Sequence, residues 1–136
     1  MDVLDITKII NEAYIETYDE LKPSLLNKNP IITFNSGYCY EFYLILNHYF
    51  NNGKLVMTKD NMHCAIMIDD VIYDSSGIRY DNYNFREEKA CDLEMIYKYF
   101  GFFAYNFREE LYRKVTRKVS IFNKNSVKIL KKEVKV

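Results

Sequence analysis

The stretch "MHCAIMIDDVIYD", residues 62–74, constrains this chain more than any other. Two β-rich runs flank Asp69-Asp70, which reads as the loop of a hairpin. With a two-residue loop, Ile68 faces Val71 and Ala65 faces Asp74, so His63 and Asp74 share one sheet face a diagonal step apart. Diagonal Cβ atoms stand roughly 7–8 Å apart, within reach of an imidazole meeting a carboxylate. Before the hairpin, "KLVMT" (54–58) reads as a further strand, and "SSG" (75–77) closes the second run.

Helical signals surround this β-region. Residues 3–21 repeat apolar side chains at helical spacing (Val3, Ile6, Ile9, Ile10, Ala13, Tyr14), and Pro23 follows closely. "KPSLLNKNP" reads as a connector and "IITF" (31–34) as a short extended piece. Asn35 or Ser36 is available to cap a second helix over about 38–50, which "NNG" ends. Asp92 suits the cap of a helix through about Phe100, and Asn106 that of another through about Lys118. A polar break at "NKNS" then precedes a last apolar-basic segment. The string YNFREE occurs at 83–88 and again at 105–110, too few copies for a solenoid. The order of helices, antiparallel strands and helices predicts an α+β chain.

A length of 136 residues fits one domain, 1–136, and the balance of 49% apolar to 28% charged residues argues against disorder. No apolar run approaches the roughly 18–20 residues of a membrane span, and the acidic N-terminus lacks signal-peptide character, so cytoplasmic residence is the expectation. Net charge is zero but unevenly placed. From Leu111 onward there are nine Lys/Arg against Glu133 alone, leaving ten bases and eighteen acids in residues 1–110. Docking of this basic segment (about 111–136) on the acidic body is favoured over nucleic-acid binding, since no nucleic-acid motif accompanies the charge. Cys39, Cys64 and Cys91 are odd in number and widely spaced, which indicates neither a disulfide framework nor a zinc site, and no metal or cofactor is expected.

Cys39 opens the second helix. On a wheel advancing about 100° per residue, Phe42, Leu46, Tyr49 and Phe50 share its inward side, while His48 falls opposite. His63 is the one other imidazole. A helix presenting Cys39 to the His63–Asp74 face completes a nucleophile, a base and an orienting acid. Each residue also has a structural account: a core thiol at Cys39, a satisfied histidine at His63, a turn former at Asp74. Cys64 alternates away from His63 and reads as core on the other sheet face. Cys91 has no imidazole nearby in sequence.

"GYCYEF" followed by "HCAIMIDDVIYDSSG" resembles the papain-like cysteine peptidase superfamily in its compact bacterial and phage forms. "SGYCYE" is also similar to the nucleophile segment of arylamine N-acetyltransferases. The resemblance implies a central helix bearing Cys39 packed on a small antiparallel sheet. It further implies Cys39 as nucleophile, His63 as general base and Asp74 as orienter in a thiol hydrolase cleaving a peptide, isopeptide or amide bond of a protein or peptide substrate. An acyltransferase on the same triad is one alternative, and a catalytically silent protein that binds a host protein or nucleic acid is another. The Asn-, Lys-, Ile- and Tyr-rich composition suggests a phage or mobile element. Two departures stand out. Only 23 residues separate Cys39 from His63, and the chain has no glutamine to bind an oxyanion, leaving Asn35 as the substitute.

Overall fold

The computed structural model describes residues 1–87 and 93–134, with side chains described for all of these except Leu93 and 127–134. Among the described residues, five α-helices and a five-stranded antiparallel sheet make an α+β architecture. Helix α1 (Val3–Leu21) starts where Asp2 and Asp5 each accept a hydrogen bond from the other's backbone N–H, a reciprocal cap of the first turn. Its buried face is Val3, Ile6, Ile9, Ile10, Ala13 and Tyr14, the periodic set expected from the sequence.

The "IITF" segment is helical, not extended. Helix α2 (Pro30–Asn35) places Pro30 in its first turn, where the fixed φ favours a helix and the missing N–H costs nothing. Asn29 caps it by accepting from the Ile31 N–H at 3.0 Å. Asn35 is therefore the last residue of α2 and does not cap α3 (Cys39–Tyr49). Between them Gly37 takes φ +104°, a backbone region open to glycine, and turns the chain so that α3 begins at the cysteine.

The sheet runs β4-β3-β2-β1-β5, with β1 Lys54–Thr58, β2 Cys64–Ile68, β3 Val71–Asp74, β4 Gly77–Arg79 and β5 Phe85–Glu87. Ile68 pairs with Val71, as the two-residue loop requires. Asp69 and Asp70 both adopt positive φ (49° and 66°), the backbone of a hairpin turn whose twist matches the strands. Asp69 also accepts from Asn52 at 3.0 Å, whereas Asp70 is exposed. Asp70→Gly is accordingly expected to raise stability by about 0.5–1 kcal/mol, since glycine removes the left-handed penalty. A urea midpoint that stays put or falls would show Asp70 to be unstrained.

One sheet face carries Leu55, Met57, Cys64, Ile66 and Ile68 into the main core with α1, α3 and the aromatic segment Phe100–Phe107. The other holds a smaller cluster of Val56, Ala65 and Ile72 with Met67 and Phe85 against it. "SSG" does more than close β3: Asp74 pairs with Gly77, so the chain doubles back as β4.

Helix α4 (Leu93–Tyr99) is the helix expected through about Phe100; its proposed cap, Asp92, and Cys91 lie outside the described residues. Helix α5 (Tyr105–Val134) differs from expectation at both ends. It starts before Asn106, and it continues through "NKNS" as one helix. Phe107, Leu111, Val115 and Val119 form its buried stripe, and docking on α1 outweighs the weak helix propensity of Asn and Ser. Lys118 pairs with Glu16 of α1 at 2.8 Å, and Lys114 pairs with both Glu20 of α1 and Glu110. No helix among the described residues is long and apolar enough to cross a membrane.

Candidate active site

Strand pairing places the acid. Asp74 ends β3, is 2% exposed, and accepts from the Ser76 N–H at 2.8 Å. Its Oδ2 lies 3.0 Å from Nε2 of His63, the diagonal contact that the hairpin register predicts. Since Nε2 meets Asp74, the ring's other nitrogen is Nδ1, which is buried and has no hydrogen-bond partner. His63 stands just before β2, with its N–H and C=O tied to Thr58. The ring is thereby fixed at the end of the sheet.

Cys39, the first residue of α3, is 2% exposed and packs against the start of β2. Its sulfur accepts from the Cys64 N–H at 3.2 Å and lies 3.1 Å from the Cys64 sulfur. Burial opposes charge on the Cys39 thiol. The Cys64 thiol, the nearby His63 ring with its positive charge and the Cys64 N–H outweigh it and bring the thiol down to about 6. Burial likewise opposes protonation of His63, but Asp74 and the Cys39 sulfur raise it to about 9. Cys64 moves the opposite way from Cys39: burial and its charged neighbour push it well above the ordinary thiol value. The opposite directions of these shifts favour a Cys39 thiolate with a His63 imidazolium and a protonated Cys64.

Two site residues escaped the sequence reading. Cys64 is core, and its face, not the opposite His63–Asp74 face expected from the sequence, is the one that receives α3, so Cys64 abuts Cys39. The wheel that turned Cys39 inward, combined with the alternation along β2, carried that signal. Arg79 is the other. Its guanidinium donates to Asp74 Oδ2 at 2.9 Å and is held by two bonds to Asp81 at 2.9 and 2.8 Å. Register pairs Arg79 with Ile72, which puts it on the Asp74 face, but this is legible only once "SSG" is read as a hairpin turn. His63 and Arg79 together hold Asp74 below the usual carboxylate range despite burial.

The remaining expectations fare unequally. Asn35 commits its amide nitrogen to the Ile31 carbonyl at 2.7 Å and lies near the Ser75 and Ser76 hydroxyls. This is a brace between α2 and the β3–β4 turn, and it occupies the donor that an oxyanion would need. Tyr38 precedes α3 without a side-chain cap bond, so the first N–H groups of α3 are the alternative donors. His48 is exposed on the far side of α3. No cluster of potential metal ligands occurs among the described residues. A groove of about 530 Å³ borders Tyr38, the residue before Cys39, and is walled by Leu25, Leu26, Phe102, Phe103 and Phe107.

Fold and site together define an α+β protein with cysteine, histidine and aspartate brought together where a helix N-terminus meets a sheet end. Over residues 14–125 the chain matches the family described as Phage YunG-like protein, and it belongs to that family. No curated protein and no solved structure matches it.

Proposed function

We propose that this phage-family protein is a papain-like thiol hydrolase acting on a protein or peptide substrate in the cytoplasm of the infected cell. The observation that carries the reading is the convergence of Cys39, His63 and Asp74, with His63 engaged by the acid at 3.0 Å and mutually charged with the thiol. Cys39 Sγ attacks the substrate carbonyl, and the first N–H groups of α3 stabilise the oxyanion. The His63 imidazolium gives its proton to the departing amine. Neutral His63 then takes a proton from water, which hydrolyses the Cys39 acyl group. Asp74 holds the ring in one orientation and stabilises its charge. The groove beside Tyr38 suits an apolar substrate side chain.

Thiol titration tests the reading. Because the depressed thiol ionises as pH rises through about 6, iodoacetamide should modify Cys39 with a midpoint near there, ahead of Cys64 and Cys91. Acylation by an activated ester followed by release in water marks a hydrolase; release that needs an added amine marks the acyltransferase. A midpoint near the ordinary thiol value, or equal modification of all three cysteines, overturns the proposal. The competing reading, a silent binding protein, draws support from the 2% exposure of Cys39 and the commitment of Asn35, and it expects no acyl adduct at all.

A further inference from the structure

The hydrolase chemistry leaves one buried nucleophilic group without a task. Cys64 is the first residue of β2 and 1% exposed, and its sulfur lies 3.1 Å from that of Cys39, the first residue of α3. The Cys64 N–H also points at the Cys39 sulfur, so the two sulfurs are held together by backbone as well as packing. A disulfide needs about 2.0 Å between sulfurs, an approach of roughly 1 Å. The two residues sit where a helix and a strand begin, and each is preceded by a turn: Gly37 at φ +104° and Asn61 at φ +62°.

We propose that Cys39 and Cys64 form a peroxide-reactive dithiol, a modification site in which oxidation of Cys39 is captured by Cys64 as a reversible disulfide. In the first step the Cys39 thiolate attacks hydrogen peroxide. An S–O bond forms, the O–O bond breaks, and hydroxide leaves, giving the sulfenic acid with sulfur oxidised by two electrons. In the second, Cys64 sulfur attacks Cys39 sulfur. The S–S bond forms as the S–O bond breaks, and the departing hydroxide takes the Cys64 proton as water. A small-molecule thiol returns two electrons by exchange and restores both groups. Both sulfurs lie within the apolar cluster, but the pair is asymmetric in the required sense: Cys39 has the His63 ring beside it, whereas Cys64 is shifted by burial and Cys39 alone and acts on a sulfur already in contact. The consequence is protection. With Cys64 in contact, the sulfenic acid closes to a disulfide before a second peroxide carries it irreversibly to the sulfinic acid.

The inference concerns sulfur chemistry and stands whether or not Cys39 hydrolyses anything. Its test is peptide mapping of the full chain after brief treatment with hydrogen peroxide and blocking of free thiols. The expected wild-type product links the Cys39 and Cys64 peptides, and alkylation of Cys39 falls at least ~10-fold and returns on adding dithiothreitol. In Cys64→Ser the link is absent and Cys39 proceeds to sulfinic acid that dithiothreitol does not reverse. Should that variant not fold, the wild-type map decides alone. A link through Cys91, or wild-type Cys39 recovered as sulfinic acid or unoxidised, overturns the proposal. Equal overoxidation of Cys39 in wild type and Cys64→Ser overturns it as well. Failure of the hydrolase reading is read separately, as absence of an acyl adduct on the untreated protein.

Discussion

His63→Ala is expected to lower turnover of an activated acyl ester by about 10²–10⁴, the range over which a positioned acid–base group contributes. The loss has two sources. Without the imidazolium, the Cys39 thiol loses the adjacent ring and positive charge that help hold it near 6, so less thiolate is present at neutral pH. Without a base, water attacks the acyl group unassisted. The variant should fold, because Asp74 keeps Arg79 at 2.9 Å and the Ser76 N–H at 2.8 Å and is not left as an unpaired buried charge. Asp74→Asn keeps the base but weakens its orientation and its charge. It should cost less than His63→Ala and shift the upper pH limb downward from about 9, since Asp74 is the largest influence raising His63. Cys39→Ala should leave no acyl adduct. A His63→Ala loss smaller than about tenfold sinks the assigned role, and an unmoved upper limb in Asp74→Asn sinks that of the acid.

Strong local signals made the His63–Asp74 contact legible, whereas much of the rest depended on partners far along the chain. The His63–Asp74 contact follows from loop length and alternation within a dozen residues, which one sequence states completely. Helix α1 is legible for the same reason, with its cap and periodic face both local. Strands β4 and β5 have three residues each and exist because β3 and β1 offer them ladders, a condition that no window around Gly77 or Phe85 reveals. YNFREE makes the point within one chain. At 105–110 it opens α5, where Phe107 begins a buried stripe continued by Leu111 and Val115. At 83–87 the same residues form the end of a 3₁₀ turn and strand β5, with Phe85 opposite Thr58 and Arg86 opposite Met57. Tertiary pairing, rather than intrinsic propensity, decides between them. Asn35 shows the cost of reading a polar residue by its neighbours in sequence. Its place next to "SGYC" suggests an oxyanion donor, yet α2 and the Ser75–Ser76 turn engage its amide.

Arg108→Met is expected to destabilise the fold by about 3–5 kcal/mol, because it strands a buried carboxylate. Glu41 lies in the first turn of α3, two residues from Cys39, with no exposed surface. Arg108 of α5 grips both carboxylate oxygens, through Nε at 3.2 Å and through Nη2, while its guanidinium lies 5.8 Å from the Phe102 ring centre. Burial already raises the Glu41 carboxyl above its ordinary value, and Arg108 is the main influence opposing that rise. Removing the guanidinium lets the rise go further. The folded state then binds a proton that the unfolded state has released, so the variant loses stability as pH climbs from the unfolded carboxylate value toward the folded one. The deficit against wild type should therefore be largest at neutral pH and shrink near pH 4. Arg108→Met with Glu41→Leu should recover most of the loss, since an apolar pair can replace a buried ion pair at little cost. Denaturant unfolding of the four proteins at two pH values measures this. A deficit below about 1 kcal/mol, or one that ignores pH, would mean that Glu41 is neutral or hydrated in the native protein. The pair fastens the start of α5 to the helical turn that carries Cys39. Arg108→Met should therefore also slow alkylation of Cys39 under conditions where the variant remains folded, whereas a purely peripheral ion pair would leave that rate alone.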